Sequence, residues 1–178
     1  MKRYWRLLLL LTVTALIGVL RAPLLRGVDS RASTIARGAG TTIIQGGTGS
    51  AGGFVPVLTT LAFHAEREGG TVTGGFECLA RAPEKNTGSG SAAFTVNAMY
   101  VTGQVTGATV NGDEVALTGT GNITGLGAGT NVPFQFVVQR GGPGATAVLT
   151  TEGSERLVFH EVLIEGSFQV FRKREGGS

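Results

Sequence analysis

The 178-residue chain contains little cysteine, proline and charge, and each shortage excludes a class of protein. Its single cysteine, Cys78, has no partner within the chain, which excludes a fold held together by intramolecular disulfides. Five prolines, and glycines without a strict triplet, exclude collagen. Charged residues make up 15% of the chain, against about 25% in an average protein, whereas apolar residues reach 42%. This composition supports a hydrophobic core, so we expect one folded domain rather than a disordered chain.

The net charge of +3 is distributed unevenly along the sequence. Seven of the 15 basic residues precede residue 38, together with one of the 12 acidic residues. The remainder carries eight basic and eleven acidic side chains, a net charge of −3. A mildly acidic domain lacks the basic footprint of a nucleic-acid-binding protein. We therefore predict no nucleic-acid partner.

The first 20 residues have the order of a secretory signal. A basic head, residues 1–6, precedes the apolar run Leu7–Leu20. At about 1.5 Å per helical residue this run spans roughly 21 Å, less than the ~30 Å hydrocarbon core of a bilayer. The sequence predicts an N-terminal hydrophobic targeting helix, cleaved as a signal peptide, with an uncleaved membrane anchor as the alternative. The protein is then periplasmic, at the cell surface or secreted, and meets the membrane only through this segment.

Composition divides the chain into four parts. Residues 1–32 form the signal or anchor, and 33–53 form a glycine-rich linker in which Thr41–Gln45 has strand character. Residues 54–171 form the β-domain and 172–178 a polar tail.

Alternating apolar and polar residues predict short β-strands throughout the β-domain. Asn111-Gly112 between two such runs predicts a hairpin with a type I′ turn, and Leu157–Phe171 a long strand bent at Gly166. About eight or nine strands without a helical period predict an all-β fold, either an antiparallel β-sandwich or a small β-barrel. The apolar strand faces are Val55, Val57, Leu61, Phe63 and Ala65; Val72, Phe76, Cys78 and Ala80; Phe94, Val96, Ala98 and Tyr100; and Val132, Phe134, Phe136 and Val138.

The 30 glycines have a structural explanation in such a fold. Turns and bulges need backbone conformations that glycine adopts most easily, and glycines within strands permit strong coiling of a small barrel. Threonines suit solvent-facing strand positions. Neither residue type requires a functional explanation.

Part of the sequence resembles a family of Gly/Thr-rich all-β domains from exported bacterial proteins of unknown function. The resemblance is carried by Gly70–Cys78, Val101–Gly127 and Glu165–Phe171. In that family a glycine-repeating hairpin precedes an alternating aromatic strand, matched here by Asn111-Gly112 through Gly125 and then Phe134 and Phe136. The resemblance covers roughly Gly70–Phe171. It implies export and a β-fold, and it lends no catalytic residue.

His64, Glu66 and Glu68 form the most suggestive polar cluster in the sequence. Alternate strand residues share a face, so these side chains could approach one divalent cation. A solvated strand end explains them more simply, because zinc requires three or four well-placed ligands. His160 and Glu161 offer a second pair, but neighbours on a strand point to opposite faces. We assign no metal and no cofactor, and leave metal binding by His64, Glu66 and Glu68 open.

The sequence offers no catalytic motif. No serine stands in Gly-x-Ser-x-Gly, and no glycine string is followed by the Gly-Lys-Ser/Thr of a phosphate loop. Cys78 follows Phe76 on an apolar face, which predicts a small core residue rather than a nucleophile. Glutamate pairs such as Glu66/Glu77 or Glu161/Glu165 could flank a sugar, but sequence does not give their separation. We assign no catalytic residue.

These observations favour an exported, non-enzymatic β-domain with a structural or interaction role and a protein or cell-surface partner. The alternative is a barrel that carries a small apolar ligand, as lipocalin-like proteins do. A second alternative is a barrel enzyme of the cyclase or isomerase type. A carrier or an enzyme needs an internal cavity, whereas a structural domain fills its interior with side chains. The aromatic residues expected to line such a cavity are Phe76, Phe94, Tyr100, Phe134 and Phe136.

Overall fold

The computed structural model describes residues 32–45, 57–82 and 96–171. The predicted targeting helix, most of the second half of the predicted linker, Phe94 and the polar tail lie outside these ranges. Within them, no helix is long and apolar enough to cross a bilayer.

Eight antiparallel strands form a closed barrel in the described part of the chain. Each strand pairs with the next along the sequence, and β1 also pairs with β8 to close the sheet. The predicted all-β fold is confirmed, and of the two predicted architectures the barrel is the one formed. The strands are β1 (Ser33–Ile44), β2 (Leu58–Glu68), β3 (Thr71–Ala82), β4 (Val96–Asn111), β5 (Glu114–Gly125), β6 (Gly129–Gln139), β7 (Thr146–Glu152) and β8 (Arg156–Val170).

The inward faces of three strands follow the predicted alternation, because successive residues of a strand point to opposite sides of the sheet. The predicted apolar sets on β2, β3 and β6 lie at buried positions, with Val72 half-buried and Val55 outside the described residues. The buried members are Leu61, Phe63 and Ala65; Phe76, Cys78 and Ala80; and Val132, Phe134, Phe136 and Val138.

The inward orientation predicted for Tyr100 on β4 is wrong. Met99 and Val101 are buried, whereas Tyr100 points outward and donates a hydrogen bond to Glu77 Oε1 at 2.6 Å. The phenol needs a polar partner, which the outer surface supplies. This bond, with burial as a lesser cause, raises the pKa of Tyr100. Tyr100 therefore contributes nothing to the barrel interior.

The glycine-rich segment predicted as a linker contains a full strand of the barrel. Strand β1, Ser33–Ile44, pairs with β2 on one side and β8 on the other. Its inward positions include Gly38, where an added Cβ would lie 2.7 Å from Phe63 Cε1 and 2.8 Å from Phe168 Cδ1. The aromatic rings of other strands fill the space that side chains of β1 would take. Glycine is needed here for packing, so a segment with the composition of a linker forms a strand.

Positive φ angles mark two places where the backbone bends. The predicted hairpin forms, with Asn111 paired to Glu114, but Gly112 alone of its two central residues has a positive φ, of +63°. The predicted type I′ turn has a positive φ at both central residues, whereas a type II′ turn has one at the first central residue alone. The observed turn therefore fits type II′. In β8 the predicted bend lies at Gly166, with a φ of +107°, beside a shift in register against β1.

One half of the barrel interior is packed with aromatic side chains. Phe136 lies at its centre, with its ring 4.6 Å from that of Phe76 and 5.4 Å from that of Phe63, centroid to centroid. Phe134 stacks on Phe76 at 5.2 Å, and Phe168 contacts Phe63 at 5.6 Å. These separations are typical of favourable aromatic pairs. The half of the barrel that contains these rings, called the aromatic half below, is a packed core.

We expect replacement of Gly38 with alanine to destabilise the barrel by about 1–3 kcal/mol, because the added methyl group overlaps the rings of Phe63 and Phe168. The same replacement at Gly142, where an added Cβ meets no heavy atom within 4 Å, is the control and should leave stability unchanged or raise it slightly. Urea unfolding followed by circular dichroism measures both. Equal midpoints for the two variants would contradict the close packing of β1.

Candidate functional site

The opposite end of the barrel interior contains a cavity of about 240 Å³. It lies where β1 and β3 end and β2 and β4 begin. Most of its described lining is apolar, and the small side chains of three alanines and Cys78 leave the space open. The lining residues are Ile44, Val57, Thr59, Cys78, Ala80, Ala82, Ala98, Met99, Leu126, Leu149, Phe159 and Glu161.

Glu161 is the one acidic side chain among the described residues that line this cavity. It lies on β8 in the inward register, two residues from Phe159 and two from Leu163, and is only 3% exposed. Burial disfavours the charged carboxylate and raises the pKa of Glu161 to about 7, although hydrogen bonds from Thr42 and Thr59 act in the opposite direction. The carboxyl group therefore changes charge near neutral pH.

Two threonines from neighbouring strands surround the carboxyl group. Thr42 Oγ1 is hydrogen-bonded to Glu161 Oε2 and lies 3.3 Å from the backbone carbonyl oxygen of Thr59. The hydroxyl of Thr59 lies close enough to the carboxyl to favour its charged form, yet it makes no hydrogen bond of good geometry. Thr59 is only 1% exposed. A buried hydroxyl without a well-formed hydrogen bond is costly, and the oxygen of Thr59 can still accept one.

Cys78 lines the same cavity from β3. Burial, and secondarily the negative charge of Glu161, raise the pKa of its thiol far above the usual range. A thiol held in its neutral form is a poor nucleophile. The structure thus places Cys78 at a buried position, as predicted, and gives it an apolar role in the cavity wall.

The cavity combines a small apolar volume with one polar end. An apolar cavity of about 150 Å³ accommodates benzene, so this one has room for a ring with a short polar arm. No cationic side chain lies among its described lining residues. The arrangement can hold a small apolar molecule and contact one polar group on it through Glu161 and Thr59.

Metal binding by His64, Glu66 and Glu68 was left open by the sequence, and the structure brings them together with no further metal ligand among the described residues. His64, Glu66 and Glu68 lie on the exposed outer face of β2. Within the described residues, no group of three histidine, cysteine, aspartate or glutamate side chains is arranged to hold a metal ion.

The predicted acidic pairs are separated by the strand register. Glu161 is buried in the barrel, whereas its neighbour His160 and the nearby Glu165 are exposed. Glu66 and Glu77 both lie exposed on the outer surface, at different levels of the β2–β3 ladder. None of these pairs lines the cavity from two sides.

The described aromatic residues that were predicted to line a cavity lie elsewhere, and Phe94 is outside the described residues. Phe76, Phe134 and Phe136 point inward but pack against one another in the aromatic half. The described aromatic residue of the cavity wall is Phe159.

Sequence reasoning missed Thr42 and Thr59 and did not recognise the role of Glu161. A signal for two of them was present: Thr59 falls on the apolar face between Val57 and Leu61, and Glu161 falls between Phe159 and Leu163. A polar residue on the apolar face of an alternating strand indicates a buried polar group. Thr42 gave no such signal: Thr41–Gln45 was given strand character, but the glycine-rich segment around it shows no alternation of apolar and polar residues.

Comparisons with protein-family models, with curated proteins and with solved structures give no match to this chain. The function of the site therefore has to be inferred from its own geometry and chemistry.

Proposed function

We propose that the barrel binds a small apolar molecule in the cavity that contains Glu161. The observation that carries the proposal is an open, largely apolar volume of about 240 Å³ in a barrel whose other half is packed. A purely structural barrel gains stability from filling such a volume, because lining atoms without neighbours lose their dispersion contacts. The small side chains of Ala80, Ala82 and Ala98 maintain the volume instead.

The polar end of the cavity supports binding of a specific molecule. Small-molecule sites combine apolar walls with a few polar groups that fix orientation. Here a buried acid, Glu161, and a hydroxyl without a good partner, Thr59, take that part. A buried polar group is costly unless it is hydrogen-bonded or paired with a charge. The presence of Glu161 and Thr59 therefore favours a ligand with a complementary polar group.

We also propose that the protein is exported, which the signal-like start of the sequence supports. A structural or interaction role, expected first from the sequence, remains the competing proposal and requires a partner on the outer surface. A cyclase or isomerase would use the same cavity as the binding function. Turnover of a bound molecule would distinguish such an enzyme from a carrier.

Filling the cavity should weaken binding. We expect Ala80→Leu to weaken the binding of indole, a neutral probe of suitable size, by about tenfold or more, which corresponds to at least about 1.4 kcal/mol. Ala80 lines the cavity at a buried position, so the added carbons occupy the ligand volume. Isothermal titration calorimetry on the full chain measures the change.

Ala62→Leu is the matched control, because Ala62 lies on the exposed face of β2. Both variants carry the same N-terminal apolar segment, so any affinity of that segment for indole cancels in the comparison. Undiminished binding by Ala80→Leu, or no binding by the wild-type chain, would overturn the proposal.

A further inference from the structure

We infer that the cavity selects a small apolar amine, held in its ammonium form by Glu161 and Thr59; this inference rests on the proposed ligand-binding function. The two side chains approach one point from different strands, Glu161 from β8 and Thr59 from β2. Both are almost fully buried, and both line the cavity.

Charge is the first argument for an amine. The cavity wall contains a carboxyl group and, among its described residues, no arginine, lysine or histidine. A carboxylate in apolar surroundings without a counter-ion is costly, and a cation brought by the ligand removes that cost. A ligand carboxylate would place a second negative charge beside Glu161. The site therefore favours cations over anions.

Hydrogen-bonding capacity is the second argument. An ammonium group has three N–H donors and no acceptor. Glu161 accepts one donor through its carboxylate, and the oxygen of Thr59, which lacks a good partner, accepts another. Thr42 meanwhile donates its hydroxyl to Glu161 Oε2, which fixes the orientation of the carboxylate. An apolar amine thus satisfies the polar atoms at this end while its hydrocarbon part contacts the alanine, leucine and phenylalanine side chains.

The size of the cavity limits the hydrocarbon part. About 240 Å³ suits one ring with a two-carbon arm better than a long acyl chain. The probe pair that follows is 2-phenylethylamine and 2-phenylethanol, which differ only in the group that would meet Glu161. Phenylacetate supplies the negatively charged counterpart.

The experiment is calorimetric titration of the full chain with these three probes at about pH 7.5. We expect the wild-type chain to bind the amine about tenfold more tightly than the alcohol, and phenylacetate more weakly than either. In Glu161→Gln the advantage of the amine should fall below about twofold, while binding of the alcohol changes by less than about threefold. Glu165→Gln, an exposed substitution on the same strand, is the control and should keep the wild-type selectivity.

A second variant, Thr59→Val, tests the other polar contact without removing the acid. It keeps the shape of the side chain, and we expect it to weaken amine binding about threefold and leave alcohol binding closer to its wild-type value. Equal binding of amine and alcohol by the wild-type chain, or unchanged selectivity in Glu161→Gln, would overturn the amine inference alone. If neither probe binds, or if Ala80→Leu leaves binding intact, the proposed function itself fails.

Discussion

Phe136→Ala is expected to lower the free energy of unfolding by about 3–5 kcal/mol, a large share of the roughly 5–15 kcal/mol typical of a domain. Phe136 is 1% exposed and contacts the rings of both Phe63 and Phe76. Truncation removes these contacts and leaves a void in the packed half, where the rigid sheet restricts collapse. Urea unfolding followed by circular dichroism measures the loss.

The control for this prediction is Phe171→Ala. Phe171 is 39% exposed and lies 5.6 Å from the guanidinium of Arg37, a surface contact worth about 0.5–1 kcal/mol. Phe136→Leu retains most of the volume and should recover much of the lost stability. If Phe136→Ala and Phe171→Ala unfold at the same urea concentration, the aromatic half is not the main source of stability.

Glu161→Gln is expected to abolish a fall in stability that the wild-type barrel shows as the pH rises. Burial raises the pKa of Glu161 from 4.5 to about 7, so the folded protein holds this proton more tightly than the unfolded chain does. The contribution is fully present below about pH 4.5 and is lost as the pH rises through about 7. Between about pH 5 and pH 8 the loss is on the order of 2–3 kcal/mol.

The measurement is the free energy of unfolding across this pH range for the wild-type chain and the variant. Among the described residues, the titratable and polar groups that face Glu161 are Cys78 from β3, Thr42 from β1 and Thr59 from β2. The high pKa of the thiol keeps Cys78 uncharged throughout the range, so the difference between the two curves belongs to Glu161. Glu165→Gln should follow the wild-type curve. Parallel curves for wild type and Glu161→Gln would show that this carboxyl group does not titrate as proposed.

Much of the fold could be predicted from period-two alternation, and the failures have physical causes. On β6 the large apolar residues Phe134 and Phe136 both point into the barrel, so the strand and its inward face were evident from the sequence. On β1 the inward position 38 is occupied by glycine, because rings from β2 and β8 fill the space. The sequence of this strand therefore shows no apolar alternation. On β4 apolar residues occupy both faces, and Tyr100 was placed on the wrong one.

The candidate site was less predictable than the fold. A cavity depends on which side chains meet across the barrel, and strands distant in sequence supply them: Thr42, Cys78 and Glu161 come from β1, β3 and β8. The sequence contains a signal that was not recognised, because Glu161 stands between Phe159 and Leu163 on an apolar face. It did not show that small residues on the facing strands leave space beside that carboxyl group.

Closure of the barrel by the pairing of β1 with β8 has a consequence for how the protein folds. Strands β1 to β8 pair in chain order, so a meander of hairpins can assemble from local contacts, but the ring is complete only when the first and last strands meet. Contacts between distant parts of a chain are slow to form. Until they form, β1 and β8 each expose an unpaired edge that can recruit a second chain. Aggregation during folding should therefore originate at this seam, and its rate should depend on protein concentration.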